Sequence, residues 1–413
     1  MTASSRCDVV IVGAGLAGLR AAQILSHHDL EVVVVERADH VGGRVHSFDV
    51  DGFIVDEGFQ LINPGYPELV ATGVLASLDL RSIPGLLTFV GSREEWTFAD
   101  PRRWPLRALT SLRRGRLATT DAARLARLLA TARWSSTTRL TRVPDRSTRQ
   151  GFRDLGLREG TIDDVIVPFL QGTLLDSELE TSWRYTRLLL KSFAKGRPGT
   201  PSNGARQLPL SLVADAPRVT YRLNEAVREV GAGFVRTDHG EIRARATLVA
   251  ADQSEAAKLL SGRDHGWRAT TTWWFDTPRV ASGERLRLDV DRRVVASMLD
   301  VASVAPERAP RGRSLIAVAV NGEHDARLDD EMAQDVGRFY DVARGDVTLI
   351  ARTTVARALP KLMPPLDLRG PSRRGSVFVA GDYLQTPSIQ GALVSGRRAA
   401  HAIRKSLVTA DVV

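Results

Sequence analysis

The sequence predicts an α/β protein with two domains, and three observations support this prediction. The chain has 413 residues, which exceeds one ordinary hydrophobic core. Near its start an apolar run typical of a buried parallel strand, Asp8 to Val12, leads into a glycine-rich turn and a helix-compatible run. Strand candidates in residues 86–98 and 270–320 flank a long helical pattern in residues 101–194. We therefore expect a βαβ domain and a second α+β domain.

The turn after the first strand carries three spaced glycines, each suited to a different task. Gly13 allows a tight turn, Gly15 leaves room for a pyrophosphate, and Gly18 lets the helix lie close to the strand. Free N–H groups and the dipole at the helix N-terminus favour an anion. Glu36 ends the second apolar run at the spacing of the acid that binds an adenosine ribose, and an acid there disfavours the 2′-phosphate of NADP.

A glycine-rich turn alone could be purely structural, but the strand, the helix and the acid together predict a Rossmann-like site for FAD or NAD. The candidate binding residues of the turn are Gly13, Ala14, Gly15, Leu16, Ala17 and Gly18.

Two adjacent glycines and an arginine, Gly42, Gly43 and Arg44, follow the ribose-binding acid. They place flexible backbone and a fixed cation near the same pyrophosphate, although alone they could form a β-turn with a solvated arginine. With the first motif they resemble the E-x(5)-G-G-R signature of the FAD-dependent superfamily of amine oxidases, phytoene desaturases and protoporphyrinogen oxidases. The resemblance continues through residues 51–60 and implies that Gly58 lies against the isoalloxazine ring. Further candidate binding residues in this part of the chain are Arg37, Phe59 and Gln60.

The net charge of +9 and the pI near 10.2 raise the question of a polyanionic partner. The excess is almost entirely arginine, and no stacking aromatic residues are interleaved with it, so a compositional bias explains the charge and we expect no nucleic-acid partner. The single cysteine, Cys7, excludes an internal disulfide and a cysteine-rich metal site and suits a reducing cytoplasm. We find no secretory signal and no apolar run of membrane-spanning length, and we expect no metal.

The basic run from residue 102 to 149 contains only two acids, Asp121 and Asp145. It could dock on anionic lipid at the inner face of the membrane, but we favour an ordinary solvated helix face in an arginine-rich protein. Two apolar stretches, residues 162–175 and 183–193, could line a cavity or form plain core.

The clearest break in the chain is the Pro- and Gly-rich segment 198–204. After it, a helix over 208–214 and strands near 219–223 and 248–252 are expected. The resemblance implies that a backbone amide of Val227 faces the adenine. The glycines of residues 231–233 form a hairpin turn, because the third glycine of a dinucleotide motif and a long helix are missing.

The C-terminal stretch carries a third motif. A buried strand over 376–380 ends at Gly381 and Asp382, and a helix with a small-residue first turn begins near residue 388. The resemblance implies that Asp382 contacts the ribityl chain or, through water, the pyrophosphate. The helix N-terminus can stabilise negative charge on the reduced flavin. The candidate residues here are Ser388, Gln390, Gly391 and Ala392.

The resemblance implies a discontinuous FAD-binding domain of the GR2 type and a substrate domain with a mixed sheet and a helical insertion. The expected FAD-binding segments are 1–80, 205–265 and 345–413, and the expected substrate-binding segments are 81–204 and 266–344, with 101–200 mainly helical. Covalent flavin is not expected, because Cys7 lies in the wrong strand.

The expected activity is FAD-dependent oxidation of a small molecule with an apolar body, by hydride transfer to flavin N5. The desaturase and protoporphyrinogen oxidase branches share the long helical middle, whereas Ser388 stands where amine oxidases commonly place an aromatic residue. An amine oxidase that releases hydrogen peroxide, a non-redox flavin-dependent isomerase and a flavin-binding protein without turnover stay as alternatives. No catalytic acid or base is evident, since His46 and Gln60 suit structural hydrogen bonding. The electron acceptor, oxygen or quinone, is left open.

Overall fold

A computed structural model of the chain describes residues 5–92, 94–100, 102–104, 106–108, 117–291, 294–366, 370 and 372–410. The strands in chain order are β1 Ser5–Val12, β2 Val32–Val35, β3 Ser47–Val50, β4 Phe53–Asp56, β5 Leu80–Ser82, β6 Leu86–Val90, β7 Glu95–Ala99, β8 Gly199–Pro201, β9 Val219–Arg222, β10 Val227–Gly231, β11 Phe234–Thr237, β12 Gly240–Val249, β13 Trp267–Pro278, β14 Leu286–Asp289, β15 Val295–Asp300, β16 Arg313–Asn321, β17 Thr348–Pro360, β18 Arg373–Arg374 and β19 Val377–Val379. The helices are α1 Leu16–Ser26, α2 Pro67–Ala71, α3 Thr119–Trp134, α4 Thr137–Thr141, α5 Thr148–Asp154, α6 Glu159–Thr161, α7 Val167–Leu174, α8 Trp183–Lys195, α9 Gln207–Ala214, α10 Gln253–Leu259, α11 Val301–Val304, α12 Asp329–Tyr340 and α13 Ile389–Ala410.

The first sheet has eight strands and a parallel centre. Its main path runs β10-β11-β12-β1-β2-β9, and β19 lies parallel to the end of β12. Strands β12, β1, β2 and β9 are mutually parallel, whereas β10, β11 and β12 form an antiparallel meander. Every residue of β2 is buried, as expected for an all-valine strand covered on both faces. Helices α1 and α13 contribute residues to the same hydrophobic core as this sheet.

The second sheet has seven strands in the order β17-β13-β16-β15-β14-β6-β7, all antiparallel neighbours except β14 and β6. Residues Met332 and Val336 of α12 pack with Trp273 on one face. On the opposite face Trp274 packs with Phe53 of β4. Side chains alternate between the two faces along β13, so Thr270, Thr272 and Trp274 lie on the face that carries β4.

Helices α3, α5, α7 and α8 enclose a third core. The apolar stretches 162–175 and 183–193 contribute Ile162, Leu170, Leu189 and other buried residues to it, so they form core in large part. Residues 101, 105 and 109–116 of the predicted helical region lie outside the described part of the chain. Among the helices that are described, no helix combines the length and the apolar character needed to cross a membrane.

The mixed α/β architecture expected from the sequence is confirmed, and the hairpin at residues 86–98 joins the later strands in one sheet as predicted. The segment 198–204 differs from the predicted break in the chain, because it contains regular structure. Its central residues form strand β8, which pairs with β5, and Thr200 is buried where its hydroxyl accepts a hydrogen bond from Arg308. The glycines near residue 232 lie at the turn between the antiparallel strands β10 and β11, as expected.

Candidate functional site

The predicted dinucleotide turn lies where β1 meets α1. Gly13 has a positive φ of 103°, and a Cβ there would lie 2.9 Å from the carbonyl oxygen of Ala250. A Cβ on Gly18 would collide with the carbonyl of Gly13, which explains the tight packing of α1 on the strand. Gly15 is different, because a Cβ there would have no neighbour within 4 Å. The backbone at the N-terminus of α1 therefore faces open space, as an approaching pyrophosphate would require.

Glu36 folds back over this turn. One carboxylate oxygen accepts a hydrogen bond of 2.8 Å from the backbone N–H of Ala14, and the other accepts one of 3.0 Å from the N–H of Ala38. These two bonds fix the carboxylate beside the glycine turn, where each oxygen can accept a further bond from a ribose hydroxyl. The neighbouring Arg37 is largely exposed and lies 3.6 Å from a carboxylate oxygen of Glu255.

The second glycine motif packs directly against the first. Gly42 donates a backbone hydrogen bond of 2.8 Å to the carbonyl of Ala14, and Gly15 and Gly42 form a parallel bridge. A Cβ on Gly43 would lie 3.4 Å from the Cα of Gly15. Two glycine segments that are far apart in sequence thus meet at the N-terminal end of α1.

Arg44 connects this meeting point to the C-terminal part of the chain. Its guanidinium donates hydrogen bonds of 2.9 Å to Asp382 and 2.7 Å to the carbonyl of Ala358, and it lies over the ring of Trp267. Burial opposes the charge, but the contact with Asp382 raises the pKa of Arg44 above its ordinary value. About a third of its side-chain surface (34%) stays accessible, so part of the cation is free to meet a ligand.

The loop after β4 approaches the second sheet. A Cβ on Gly58 would lie 3.4 Å from Val355 and 3.9 Å from Thr270. The N–H of Phe59 donates to the hydroxyl of Thr272. Gln60 donates from its side-chain amide to the carbonyl of Arg44 at 3.2 Å, so this loop joins the glycine turns to one face of the second sheet.

Hydrogen bonds and close backbone packing fix the start of α13. The hydroxyl of Ser388 accepts a hydrogen bond of 3.1 Å from the N–H of Gly391, and a Cβ on Gly391 would collide with the carbonyl of Thr386. The side chain of Gln390 accepts a bond from the N–H of Glu68. The N–H of Gly381 donates to Ser395, so the turn that carries Asp382 is fixed to α13. Ala392, in the first turn, is half-buried.

Val227 is set apart from this cluster by its place in the sheet. It begins β10, at the edge of the first sheet, where it pairs with Thr237 of β11. Glu225, two residues earlier, donates its N–H to the carbonyl of Glu36, so this edge lies next to the predicted ribose-binding acid. Contact of Val227 with an adenine stays a prediction.

Three details were not anticipated from the sequence. Thr270, Thr272 and Val355 face the Gly58 loop, but their strands carry no motif, and only the sheet register identifies the face. Trp267 lies beneath Arg44, and Ser395 supports the Gly381 turn. Alternation along β13 was the one available signal, and it could not say which face meets the loop.

The chain was compared with known protein families and structures. The family model described as flavin containing amine oxidoreductase matches residues 16–404. The chain belongs to this family. Membership implies FAD as the cofactor, and the predicted superfamily and cofactor are thereby confirmed; the prediction of an FAD-dependent oxidoreductase is confirmed at the level of the family.

The curated relatives match over short parts of their length. Putrescine oxidase of Kocuria rosea is 50% identical over 64 residues, which are 16% of this chain and 13% of that protein. Mitochondrial protoporphyrinogen oxidase of Nicotiana tabacum is 29% identical over 171 residues, which are 41% of this chain and 33% of that protein. A solved oxidoreductase from Methanosarcina mazei has a TM-score of 0.73 at 15% identity and covers 95% of this chain and 100% of its own, which shows a shared fold.

The residues present fit FAD. Open space lies at Gly15, a partly accessible cation lies at Arg44, and a carboxylate with spare acceptor capacity lies at Glu36. All three lie around the end of β1 and can serve a pyrophosphate and its ribose.

Proposed function

We propose that this protein is an FAD-dependent oxidoreductase that oxidises a molecule with an apolar body. The observation that carries the proposal is the meeting of three separated segments: Gly15 with Gly42, and Arg44 with Asp382. In this proposal the first sheet is a Rossmann-like domain of the GR2 type, and the second sheet with the helical region is the substrate domain.

When bound, FAD supplies the redox chemistry by accepting a hydride at N5. The protein's own residues bind and orient it: the N–H groups at the start of α1 and the cation of Arg44 hold the pyrophosphate, and Glu36 holds the ribose. We propose noncovalent binding, because Cys7 is buried in β1 and burial raises the pKa of its thiol to about 11. A protonated, enclosed thiol is a poor nucleophile.

The proposed substrate class rests on the face that the Gly58 loop meets. Thr270, Thr272 and Val355 occupy this face nearest to the loop, and none of them carries a charge. Hydroxyl groups and a branched apolar side chain suit the apolar body of a substrate better than a dication. Amine oxidases commonly have an aromatic residue at the position of Ser388. The serine at this position therefore also argues against an amine substrate.

An amine oxidase is the second candidate, because the family is that of flavin containing amine oxidoreductases and putrescine oxidase is among the relatives. A non-redox flavin isomerase and a flavin-binding protein without turnover are the remaining alternatives. An amine oxidase predicts bleaching of the bound flavin by amines, whereas the last two alternatives predict no bleaching by any added donor.

The test is an anaerobic titration of the FAD-loaded protein, followed by flavin absorbance. Polyenes, porphyrinogens and amines are added separately, and dithionite provides the fully reduced reference. Bleaching by one of the apolar classes supports the proposal, and admission of oxygen or a quinone then identifies the electron acceptor. Bleaching by amines alone, with hydrogen peroxide release in air, would establish the second candidate instead. No bleaching by any donor would overturn the proposed oxidation.

We further propose that one surface of the helical region docks on a bilayer with anionic phospholipids. The residues that define this surface are Leu106, Arg127, Trp134, Arg139 and Arg142. Leu106 and Trp134 are each 80% exposed. Arg102 and Arg133 both donate to the carbonyl of Ala194 at the end of α8, so the segments that carry the two apolar side chains lie close together. Large exposed apolar side chains surrounded by arginines are typical of an interfacial surface.

The charge of this surface is poorly compensated. Arg127, Arg139 and Arg142 have no carboxylate partner among the residues that the structure describes. Burial, and then the nearby Arg139, lowers the pKa of Arg187. Phosphate groups would relieve this repulsion.

A further inference from the structure

A small cavity lies outside the predicted FAD site, between α10 and the segment that contains β18, β19 and the turn after them. Its volume is about 80 Å³, several times the space that one water molecule needs. The side chains that matter for its chemistry are those of Gln253, Arg263, His265, Arg374 and Tyr383. It is therefore a polar cavity large enough for a small polyatomic ion.

The cations around the cavity are not neutralised by protein groups. Neither Arg263 nor Arg374 has a carboxylate partner among the described residues. The nearby carboxylate of Asp264 does not line the cavity, and its oxygens accept hydrogen bonds from Ser254 and Gln253. The cavity thus has an excess of positive charge and of hydrogen-bond donors.

Arg263 and Arg374 are exposed residues, so the cavity opens to solvent, and two further features concern its donors. The hydroxyl of Tyr383 is buried and has no hydrogen-bond partner, which is unusual for a buried polar group without a ligand or water. A Cβ on Gly262 would collide with the guanidinium of Arg374, so glycine at this position lets that guanidinium lie beside the cavity.

We infer that this cavity binds a small tetrahedral oxyanion of the phosphate type. Arg263 and Arg374 supply charged donors, and the phenol of Tyr383 supplies a neutral one, which together match several oxygens of one anion. Tyr383 follows Asp382 directly, and Asp382 is the partner of Arg44. An anion in the cavity would therefore fix the turn that holds the predicted pyrophosphate-binding arginine. The inference does not depend on which substrate the protein oxidises.

The test is isothermal titration calorimetry of the FAD-loaded protein with inorganic phosphate at low ionic strength. We expect saturable binding of one phosphate per chain, weakened about tenfold or more in R374Q because a charged hydrogen bond is lost. Y383F should weaken binding by a smaller factor. G262A should weaken it by displacing the guanidinium, and thermal unfolding verifies that each variant is folded.

The matched control is R373Q. Arg373 is the neighbour of Arg374 in β18, but its guanidinium bonds the carbonyl of Gly375 and lies over Phe378. Phosphate affinity should be unchanged in this variant. Absence of saturable binding, or equal weakening by R373Q and R374Q, would overturn the inference, since the latter indicates diffuse attraction to a basic surface. Phenyl phosphate is titrated in a second experiment. If it binds as tightly as inorganic phosphate, the ligand class is a phosphate monoester. If it does not bind, the ligand is the free ion.

Discussion

At the scale of single residues, the predicted cofactor site depends on the absence of side chains in its glycine turn. Gly15 leaves a volume that nothing in the described chain fills, whereas the hydrogens of Gly13 and Gly18 face backbone atoms. Gly15 is therefore needed to leave space for a ligand, whereas Gly13 and Gly18 are needed for close packing of the backbone. This difference can be measured, because a methyl group at one position should affect binding and at another should affect folding.

We predict that Gly15→Ala leaves the free energy of unfolding of the FAD-free protein nearly unchanged, since the new methyl enters open space at a φ of −70°. FAD affinity should fall about tenfold or more, because the methyl lies where the pyrophosphate must approach. Equilibrium dialysis with FAD and thermal unfolding measure the two quantities. Gly18→Ala is the comparison: it should destabilise the fold itself. Full FAD affinity in Gly15→Ala would show that the pyrophosphate binds elsewhere.

Asp289 gives a second prediction at this scale. It is fully buried, one of its oxygens has no hydrogen-bond partner, and burial raises its pKa to about 6. The protonated form is favoured by folding, so its stabilising contribution is complete below about pH 4 and is lost as the pH rises through about 6.

We therefore expect Asp289→Asn to become more stable relative to the natural chain as the pH rises from 4 to 7, by up to about 3 kcal/mol. Urea unfolding at several pH values gives the difference. Asp51→Asn, which changes an exposed carboxylate in a different part of the chain, serves as the control and should show a flat difference. A flat profile for Asp289→Asn would mean that the buried carboxyl does not titrate in this range.

At the scale of elements, the long helix α13 does two tasks. Its first turn carries the residues predicted to face the flavin, and its later turns pack on α1 and complete the core of the first sheet. Gly396 lies at the crossing of the two helices, where a Cβ would collide with the carbonyl of Ala17. The position of the binding turn and the packing of the core are therefore coupled.

We expect Gly396→Ala to destabilise the protein by about 1–3 kcal/mol, although alanine normally stabilises a helix relative to glycine by up to about 1 kcal/mol. FAD should also be released at a lower temperature. Gly172→Ala in α7 is the matched control, because a Cβ there meets its nearest neighbour at an ordinary 3.6 Å; it should be neutral or stabilising. Equal effects of the two changes in differential scanning calorimetry would argue against a close crossing.

Local patterns in the sequence were sufficient for much of the first sheet. The strand, glycine turn and acid of the first motif predict their own arrangement, because each step is a contact between near neighbours in the chain. The hydrogen bond between Arg44 and Asp382 spans 338 positions, and only the shared family motifs suggested that its two ends meet. The face formed by Thr270 and Thr272 could not be predicted, since register decides it. The burial of strand β8 was missed because its Pro and Gly residues are also typical of an open loop.

At the scale of the whole molecule, arginines in different regions differ in whether they contact a carboxylate. Arg228, Arg236 and Arg243 on the meander of the first sheet each contact a carboxylate, whereas Arg127, Arg139 and Arg142 on the helical region have no such partner among the described residues. The helical region that exposes Trp134 therefore carries arginines whose charge no described carboxylate neutralises.

We predict that the protein sediments with vesicles that contain phosphatidylglycerol, does not sediment with pure phosphatidylcholine, and is released by salt. Neutralising Arg127, Arg139 and Arg142 to glutamine should weaken binding about a hundredfold, at roughly 1 kcal/mol for each arginine. Trp134→Ala should weaken it further.

The control neutralises Arg228, Arg236 and Arg243, which changes the net charge equally at a distant place. If both triple variants lose vesicle binding to the same extent, the attraction is general and the proposed surface is wrong. If an acidic protein or RNA competes without any affinity for the vesicles, the bilayer is the wrong partner.

The order of strands in the first sheet also bears on how the protein is made. Strands β1 and β2 come from the start of the chain, β9 to β12 from its middle, and β19 with α13 from its end. Asp382 must leave the ribosome before it can reach Arg44, which lies 338 positions earlier, and such distant contacts are slow to form. Cofactor loading is consequently a late event in the life of this protein, and a chain cut short near residue 376 would carry an intact glycine motif without its C-terminal partner.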